Sequence, residues 1–312
     1  VLGTYVNEIV GDDEYVGVLL PPMVPPAVVI LAILLMGRIP VNLNYTAGQE
    51  MIDSAIQQCG IRHVITSPKL LEKVHLKPRA QLHMLEDVPG KITWKHKLAG
   101  AATAKLVRLG FAGLLLPGLK RFGLDSVATV IFTSGSTGDP KGVVLSHRNI
   151  LSNIRQFDRQ IRLDPNEVVL GILPFFHSFG FTVTVWTPFC LGKEAVYHSS
   201  PLDAKTVGKL CEKHGVTLVA GTPTFMRLYL KNCPASQFKS VKNLILGAEK
   251  LRPELYREIQ SWLGLAPLEG YGTTELSPVV SVNVHERIAL PGGGEVAGNR
   301  PGTVGLPLPG TR

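Results

Sequence analysis

The sequence predicts an α/β fold built as two layered α/β subdomains, on three observations. Strand-like apolar runs alternate with segments of helical period from Val16 to Thr66, and the order strand, helix, strand, helix, strand favours a parallel, doubly wound layer. The chain has 312 residues, 45% hydrophobic and 18% charged, a globular balance with enough length for at least one large core and for two subdomains. Two further strands, Val127 to Phe132 and Val143 to Leu145, flank a loop of glycine, hydroxyl residues, proline and lysine.

The elements follow in order. Val16 to Met36 is the most hydrophobic window, and Pro21, Pro22, Pro25 and Pro26 divide it. A membrane span needs about twenty unbroken apolar residues, so the window reads as a strand over Val16–Leu20, a loop, and a buried helix over Ala27–Met36 that Gly37 stops. Ile39 to Tyr45 begins the next strand and turn. Gly48 to Cys59 places Met51, Ile52, Ala55 and Ile56 at helical spacing, and Ile61 to Thr66 follows as a strand. His63, His75 and His83 have no partner pattern and read as surface or capping residues.

Lys91 to Arg121 differs in kind. Lys91, Lys95, Lys97, Lys105, Arg108, Lys120 and Arg121 accumulate without an acidic residue, interleaved with Trp94, Leu98, Leu106, Leu109, Phe111 and Leu114. The stretch reads either as a basic amphipathic helix in a membrane interface or as a helix packed on the domain with a solvated basic face. The net charge of +8 suits an anionic partner, and no nucleic-acid-binding motif is present. Cys59, Cys190, Cys211 and Cys233 are scattered without metal-ligand spacing, which suits a reducing compartment and argues against zinc.

The run Thr133-Ser134-Gly135-Ser136-Thr137-Gly138-Asp139-Pro140-Lys141-Gly142 between two strands combines flexibility with donors that a polyanion can use. Read by itself it is a Gly/Ser hairpin turn or a phosphate-cradling loop. It is not a P-loop, because Pro140 precedes Lys141 and the chain returns as a strand instead of a helix. Later strands are expected at Glu167–Leu173, Val216–Ala220 and Leu244–Leu246. The first ends in the aromatic segment Pro174-Phe175-Phe176-His177-Ser178-Phe179-Gly180, and Leu268 to Glu275 supplies a Tyr-Gly-Thr-Thr-Glu strand end and turn.

Together these motifs resemble those of the adenylate-forming (AMP-binding) superfamily. The resemblance implies the N-terminal domain of that fold. Residues 1–125 would form its first part, 126–285 the nucleotide and acyl-binding core, and 286–312 the start of a truncated β subdomain, with the small C-terminal domain absent. It implies ATP and Mg²⁺ as cofactors. Thr133, Ser134, Ser136, Thr137 and Lys141 would meet the β- and γ-phosphates while Gly135, Gly138 and Gly142 let the loop close. Gly247, Ala248 and Glu249 fall in the adenine-contacting loop. Tyr271 would stack on adenine, with Gly272 and Thr273 beside the nucleotide, Thr274 on the α-phosphate and Glu275 holding the metal. His177 would flank the acyl carboxylate, with Phe176 and Phe179 walling the entrance to its tail. On this reading Lys141, His177, Thr274 and Glu275 carry the catalysis.

Within the superfamily, Gly37 to Gly48, Leu173 to Gly180, Leu268 to Asn283 and Arg300 to Gly305 are similar to the synthetase half of the bacterial bifunctional acyl-acyl-carrier-protein synthetase/2-acylglycerophosphoethanolamine acyltransferase family. That resemblance implies a long-chain fatty acid, acyl carrier protein or coenzyme A as acceptor, and a place at the cytoplasmic face of an inner membrane for the full-length protein. This chain would be a soluble fragment. It ends before the ribose-binding Asp, the hinge and the second catalytic Lys of the superfamily, so weak nucleotide binding with little turnover is expected. Alternatives are a long-chain acyl-CoA ligase and a catalytically silent nucleotide-binding or membrane-docking module.

Overall fold

The computed structural model describes residues 1–134, 140–289 and 293–311, apart from the Ser134 side chain. The chain divides into two units, Val1–Arg148 and Asn149–Arg312. The β5–β6 hairpin described below therefore groups with the first part of the chain, whereas the sequence reading began the core at residue 126.

In the first unit, β1 (Tyr15–Val18), β2 (Ile39–Asn42), β3 (His63–Thr66) and β4 (Gln81–Met84) form a sheet of order β2-β1-β3-β4. Every pairing is parallel, as the alternation of elements requires. The Gln49–Cys59 helix buries Ile52, Ala55 and Ile56 against Leu19, Val41, Leu43 and Val64. The apolar Val24–Leu35 helix buries Val29, Ile30 and Ile33. It starts earlier than expected because Pro25 and Pro26 occupy its first turn, where proline's missing N–H costs nothing and its fixed φ suits the helix. An antiparallel hairpin, β5 (Val127–Ser134) and β6 (Pro140–Ser146), pairs Thr133 with Lys141. Its connection, residues 135–139, lies outside the described residues, as do 290–292 and 312.

Two expectations for this unit need correction. His63 and His83 are not isolated surface groups, since Nδ1 of one lies 2.9 Å from Nε2 of the other and His83 is buried. The basic stretch, helical over Trp94–Leu106, does not segregate its residues into an apolar packed face and a basic solvated one. The large apolar side chains Trp94, Leu98 and Leu106 and the lysines all lie outward, and the stripe turned toward the unit is His96, Gly100, Thr103 and Val107.

In the second unit, β7 (Val168–Gly171), β8 (Glu194–Tyr197), β9 (Leu218–Gly221), β10 (Asn243–Leu246), β11 (Leu268–Gly272), β12 (Val279–Val282) and β15 (Leu306–Pro307) build one sheet of order β15-β12-β11-β10-β9-β7-β8. The β8 to β11 portion is parallel, and β12 and β15 add antiparallel edge strands. A short antiparallel pair, β13 (Arg287–Ala289) and β14 (Glu295–Ala297), forms a separate two-stranded sheet. The parallel strands are apolar at successive positions because both faces are covered. Leu170, Val219, Leu244 and Leu246 point into one core, and Val169, Leu218, Ala220 and Ile245 into the other. The second core also takes Phe157 from the His147–Ile161 helix, and its outer end carries the candidate site.

Candidate functional site

Four neighbouring parallel strands end on the same side of the second sheet, and the chain leaving each contributes to one cavity of about 340 Å³. The chain after β7 supplies Leu173, His177, Ser178 and Phe179, and that after β9 supplies Thr222 and Phe225. Gly247 and Ala248 follow β10, and the end of β11 with its turn supplies Gly270 to Thr274. This is where open parallel sheets bind ligands, outside the carboxyl ends of the strands next to the point where the strand order reverses, here between β7 and β9. Phe157, Ile245, Val279 and Val282 make an apolar floor. Polar groups are confined to the rim, a distribution suited to a ligand with an apolar body and a polar head.

The rim is held by hydrogen bonds. Thr274 Oγ1 and Ser178 Oγ lie 3.2 Å apart, linking the turn after β11 to the segment after β7. Thr273 N–H donates to Pro278 C=O at 3.0 Å, closing the turn that contains Thr274 and Glu275. Gly272 is required there, because a Cβ would stand 2.1 Å from the Pro278 oxygen. Gly247 likewise keeps a gap open, since its Cβ would meet the Gly270 oxygen at 3.2 Å. Asn153, buried on the His147–Ile161 helix, donates from Nδ2 to Val279 C=O at 2.7 Å and accepts at Oδ1 from Val279 N–H at 3.1 Å. It clamps β12 behind the floor.

Among the residues expected from sequence, His177, Phe179, Gly247, Ala248, Tyr271, Gly272, Thr273 and Thr274 come together on this cavity. Tyr271 is 50% exposed at its lip, where its ring can lie against a flat ligand. His177 is exposed at the mouth of the cavity, and partial desolvation by the surrounding protein lowers its pKa from the usual 6.5. Three residues depart from their expected places. Phe176 is 3% exposed and absent from the cavity wall; its ring sits 4.6 Å from the His177 ring and supports it from behind. Glu249 lies outside the lining, where its carboxylate accepts from Thr224 Oγ1 at 2.6 Å. Glu275 is exposed beside the lining, without an ion pair among the described residues. Thr133 and Lys141 face each other in register on the β5–β6 hairpin, Lys141 exposed, and Ser134 pairs with Pro140 through its backbone. Gly135, Ser136, Thr137 and Gly138 lie outside the described residues.

Sequence reasoning missed Phe157, Phe225, Ser178 and Asn153. The first two carried a usable signal, as apolar residues of helices next to expected strands. Ser178 and Asn153 carried none, because each acquires its role from a partner about a hundred positions away.

The residues present fit a magnesium nucleotide. The Gly247 gap is a cradle that a side chain would fill, Tyr271 offers an aromatic face, and Thr274 offers a hydroxyl. No group of three or more His, Cys, Asp or Glu capable of caging a metal occurs among the described residues. A lone exposed carboxylate such as Glu275 suits Mg²⁺, which keeps several waters and is bound largely through substrate phosphates.

Comparison with known proteins agrees with this architecture. The profile described as AMP-binding enzyme matches residues 7–312. The long-chain-fatty-acid–CoA ligase of Bacillus subtilis (strain 168) is 34% identical over 194 residues, 59% of this chain and 32% of that protein. A long-chain-fatty-acid–CoA ligase of Salmonella typhimurium is 27% identical over 324 residues, 96% of this chain and 56% of its own length. The chain thus spans about a third to somewhat over half of these curated relatives. Among solved structures, the anthranilate CoA ligase AuaEII in complex with anthranoyl-AMP superposes with a TM-score of 0.77 at 18% identity, over 99% of this chain and 57% of that one. ATP-bound MatB from Rhodopseudomonas palustris gives 0.74 at 22% identity, over 99% and 57%. These two speak to the fold alone. With the profile running through both units and every wall of the cavity, the chain belongs to the family of AMP-binding enzymes.

Proposed function

We propose that this chain serves the ATP-dependent activation of a long-chain fatty acid as its acyl adenylate, the acyl group then passing to a phosphopantetheine thiol. The observation that carries the proposal is the joining, in one cavity, of an apolar floor and a rim bearing Tyr271, Thr274 and His177. A fatty tail gains about 0.8 kcal/mol per buried methylene, so an apolar floor favours it over a polar acid. The names of the relatives in Bacillus subtilis and Salmonella typhimurium point the same way.

In this reading the fatty carboxylate attacks the α-phosphorus and pyrophosphate leaves. The protein orients two anions and offsets the charge that builds on phosphoryl oxygens. Tyr271 stacks on the base, Thr274 donates its hydroxyl to the α-phosphate, and Ser178 fixes the direction of that hydroxyl. Glu275 would hold Mg²⁺, which supplies charge neutralisation on the leaving group. His177, its pKa lowered, presents a neutral imidazole beside the carboxylate at pH 7. Thr133 and Lys141, together with Ser134, Ser136 and Thr137, are the phosphate donors that the motif resemblance assigns.

The test is calorimetric titration with ATP in the presence and absence of Mg²⁺. Binding that depends on Mg²⁺ and weakens in Glu275→Ala is expected; no binding, or identical binding in the variant, would overturn the assignment. The acceptor has two readings. The motif resemblance favours acyl carrier protein, in service of lysophospholipid re-acylation, and the names of the relatives favour coenzyme A. Offering pre-formed acyl adenylate with each thiol to the full-length enzyme separates the two by which thioester accumulates.

A further inference from the structure

Residues 91–121 belong to the first unit, none of them lines the cavity described above, and the proposed adenylation chemistry uses none of them. The Trp94–Leu106 helix shows an inverted pattern. A helix that packs on a globular unit turns its large apolar residues inward. Here the inward stripe is His96, Gly100, Thr103 and Val107, while Trp94 is 69% exposed and Leu98 63%. Beyond it Leu109 is 63% exposed and Leu114 68%, with Phe111 and Leu119 also in solvent. Lys95, Lys97, Lys105 and Arg108 stand among them, and none has an acidic partner among the described residues. No Asp or Glu occurs between Asp87 and Asp125.

The segment is fixed to its unit at both ends. At the start, Thr93 N–H donates to His96 Nδ1 at 3.0 Å, and His96 Nε2 lies 2.7 Å from the Glu8 carboxylate. At the end, Gly118 is packed so closely that a Cβ would stand 2.0 Å from the Leu34 oxygen, and Arg121 Nη2 donates to Glu14 at 2.9 Å. Between them, Gly110 with φ of 92° breaks the helical backbone.

By length and composition Trp94–Leu115 could cross a membrane. The tethers at each end hold both termini on one surface of the unit, and Lys105 and Arg108 fall in mid-segment, where a charge in hydrocarbon is costly. The segment is suited to lying on a bilayer rather than through it. We propose that this face docks on an anionic phospholipid surface, with Trp94, Leu98, Leu109 and Leu114 entering the interfacial layer and Lys95, Lys97, Lys105 and Arg108 meeting lipid phosphates. Charge complementarity selects the partner: a wholly basic surface interleaved with aromatic and leucine side chains matches an interface that is apolar beneath and negative above. The proposal is independent of the nucleotide reading.

The test is co-sedimentation of the chain with phosphatidylcholine vesicles, with and without phosphatidylglycerol, at low and high salt, alongside the fluorescence of Trp94. The expected result is binding that rises with phosphatidylglycerol, weakens with salt, and shifts tryptophan emission to the blue in the wild type but not in Trp94→Phe. A charge-reversed variant (Lys95→Glu, Lys97→Glu, Lys105→Glu, Arg108→Glu) and an apolar one (Leu98→Ser, Leu109→Ser, Leu114→Ser) should each lose about tenfold or more in partitioning, with helical circular dichroism retained. The proposal fails if the wild type does not sediment, sediments equally with neutral vesicles, or shows no shift from Trp94. It fails equally if folded variants bind as the wild type does, or if an immobilised acidic carrier protein retains the chain and vesicles do not. The wild-type salt and lipid series decides the matter even if a variant does not fold.

Discussion

The hydroxyls of Ser178 and Thr274 lie 3.2 Å apart, joining the segment that leaves β7 to the turn that leaves β11 across the mouth of the cavity. A neutral hydrogen bond of this kind contributes about 0.5–1.5 kcal/mol. Ser178→Ala should weaken ATP binding by that amount and Thr274→Ala by more. The double variant should fall short of the sum of the two, because Ser178 acts through Thr274. Isothermal titration of the four proteins measures the coupling; strict additivity would show that the two hydroxyls act separately.

Asn153 meets both backbone groups of Val279 from inside the second core. Asn153→Leu leaves a buried N–H and C=O without partners, at a cost of about 1–3 kcal/mol for each group so exposed. Urea unfolding should show a lower midpoint with an unchanged slope. An unchanged midpoint would mean that β12 holds its place without the clamp.

Gly272→Ala forces a Cβ to within 2.1 Å of the Pro278 oxygen. The strand end or the turn must move, at a cost of about 1–3 kcal/mol. Loss of ATP affinity larger than the loss of stability is expected, since Thr273 and Thr274 ride on that turn. Equal affinity in the variant, measured by calorimetry, would remove the turn from the nucleotide site.

His83 gives the fold a pH dependence. Burial, then His63, then Lys91 lower its pKa from 6.5. In the folded state it therefore binds its proton less readily than in the unfolded chain. The stability it supports is complete above about pH 6.5 and is lost as pH falls through its folded pKa. His83→Phe should flatten the fall in unfolding free energy between neutral and mildly acid pH, as followed by chemical denaturation. A variant with the slope of the wild type would place the titration elsewhere.

Much of this fold was legible because burial dictates simple patterns. Leu218, Val219 and Ala220, and likewise Leu244, Ile245 and Leu246, had to be strands covered on both faces, and both cores use them so. The aromatic-histidine segment and the Tyr-Gly-Thr-Thr-Glu run could be placed at strand ends, and these ends do meet on one cavity. Which of two aromatics turns inward was not legible. Phe176 and Phe179 are equivalent in composition, and only the path of the chain buries the first and leaves the second on the wall. The His63–His83 pair was hidden for a related reason, since parallel strands bring together residues that no local spacing connects. In the basic segment, composition revealed charge and apolarity but not orientation, which small residues at Gly100 and Thr103 decide by allowing close approach on their side.

Each wall of the cavity hangs from the end of its own strand, and the strands are locked to one another by backbone pairing that ignores side-chain identity. Selectivity is thereby modular. Substitution within the Thr222–Phe225 junction reshapes chiefly one quadrant of the chamber, at some expense to the two cores that Phe225 also touches, so ligand preference can be retuned piecewise.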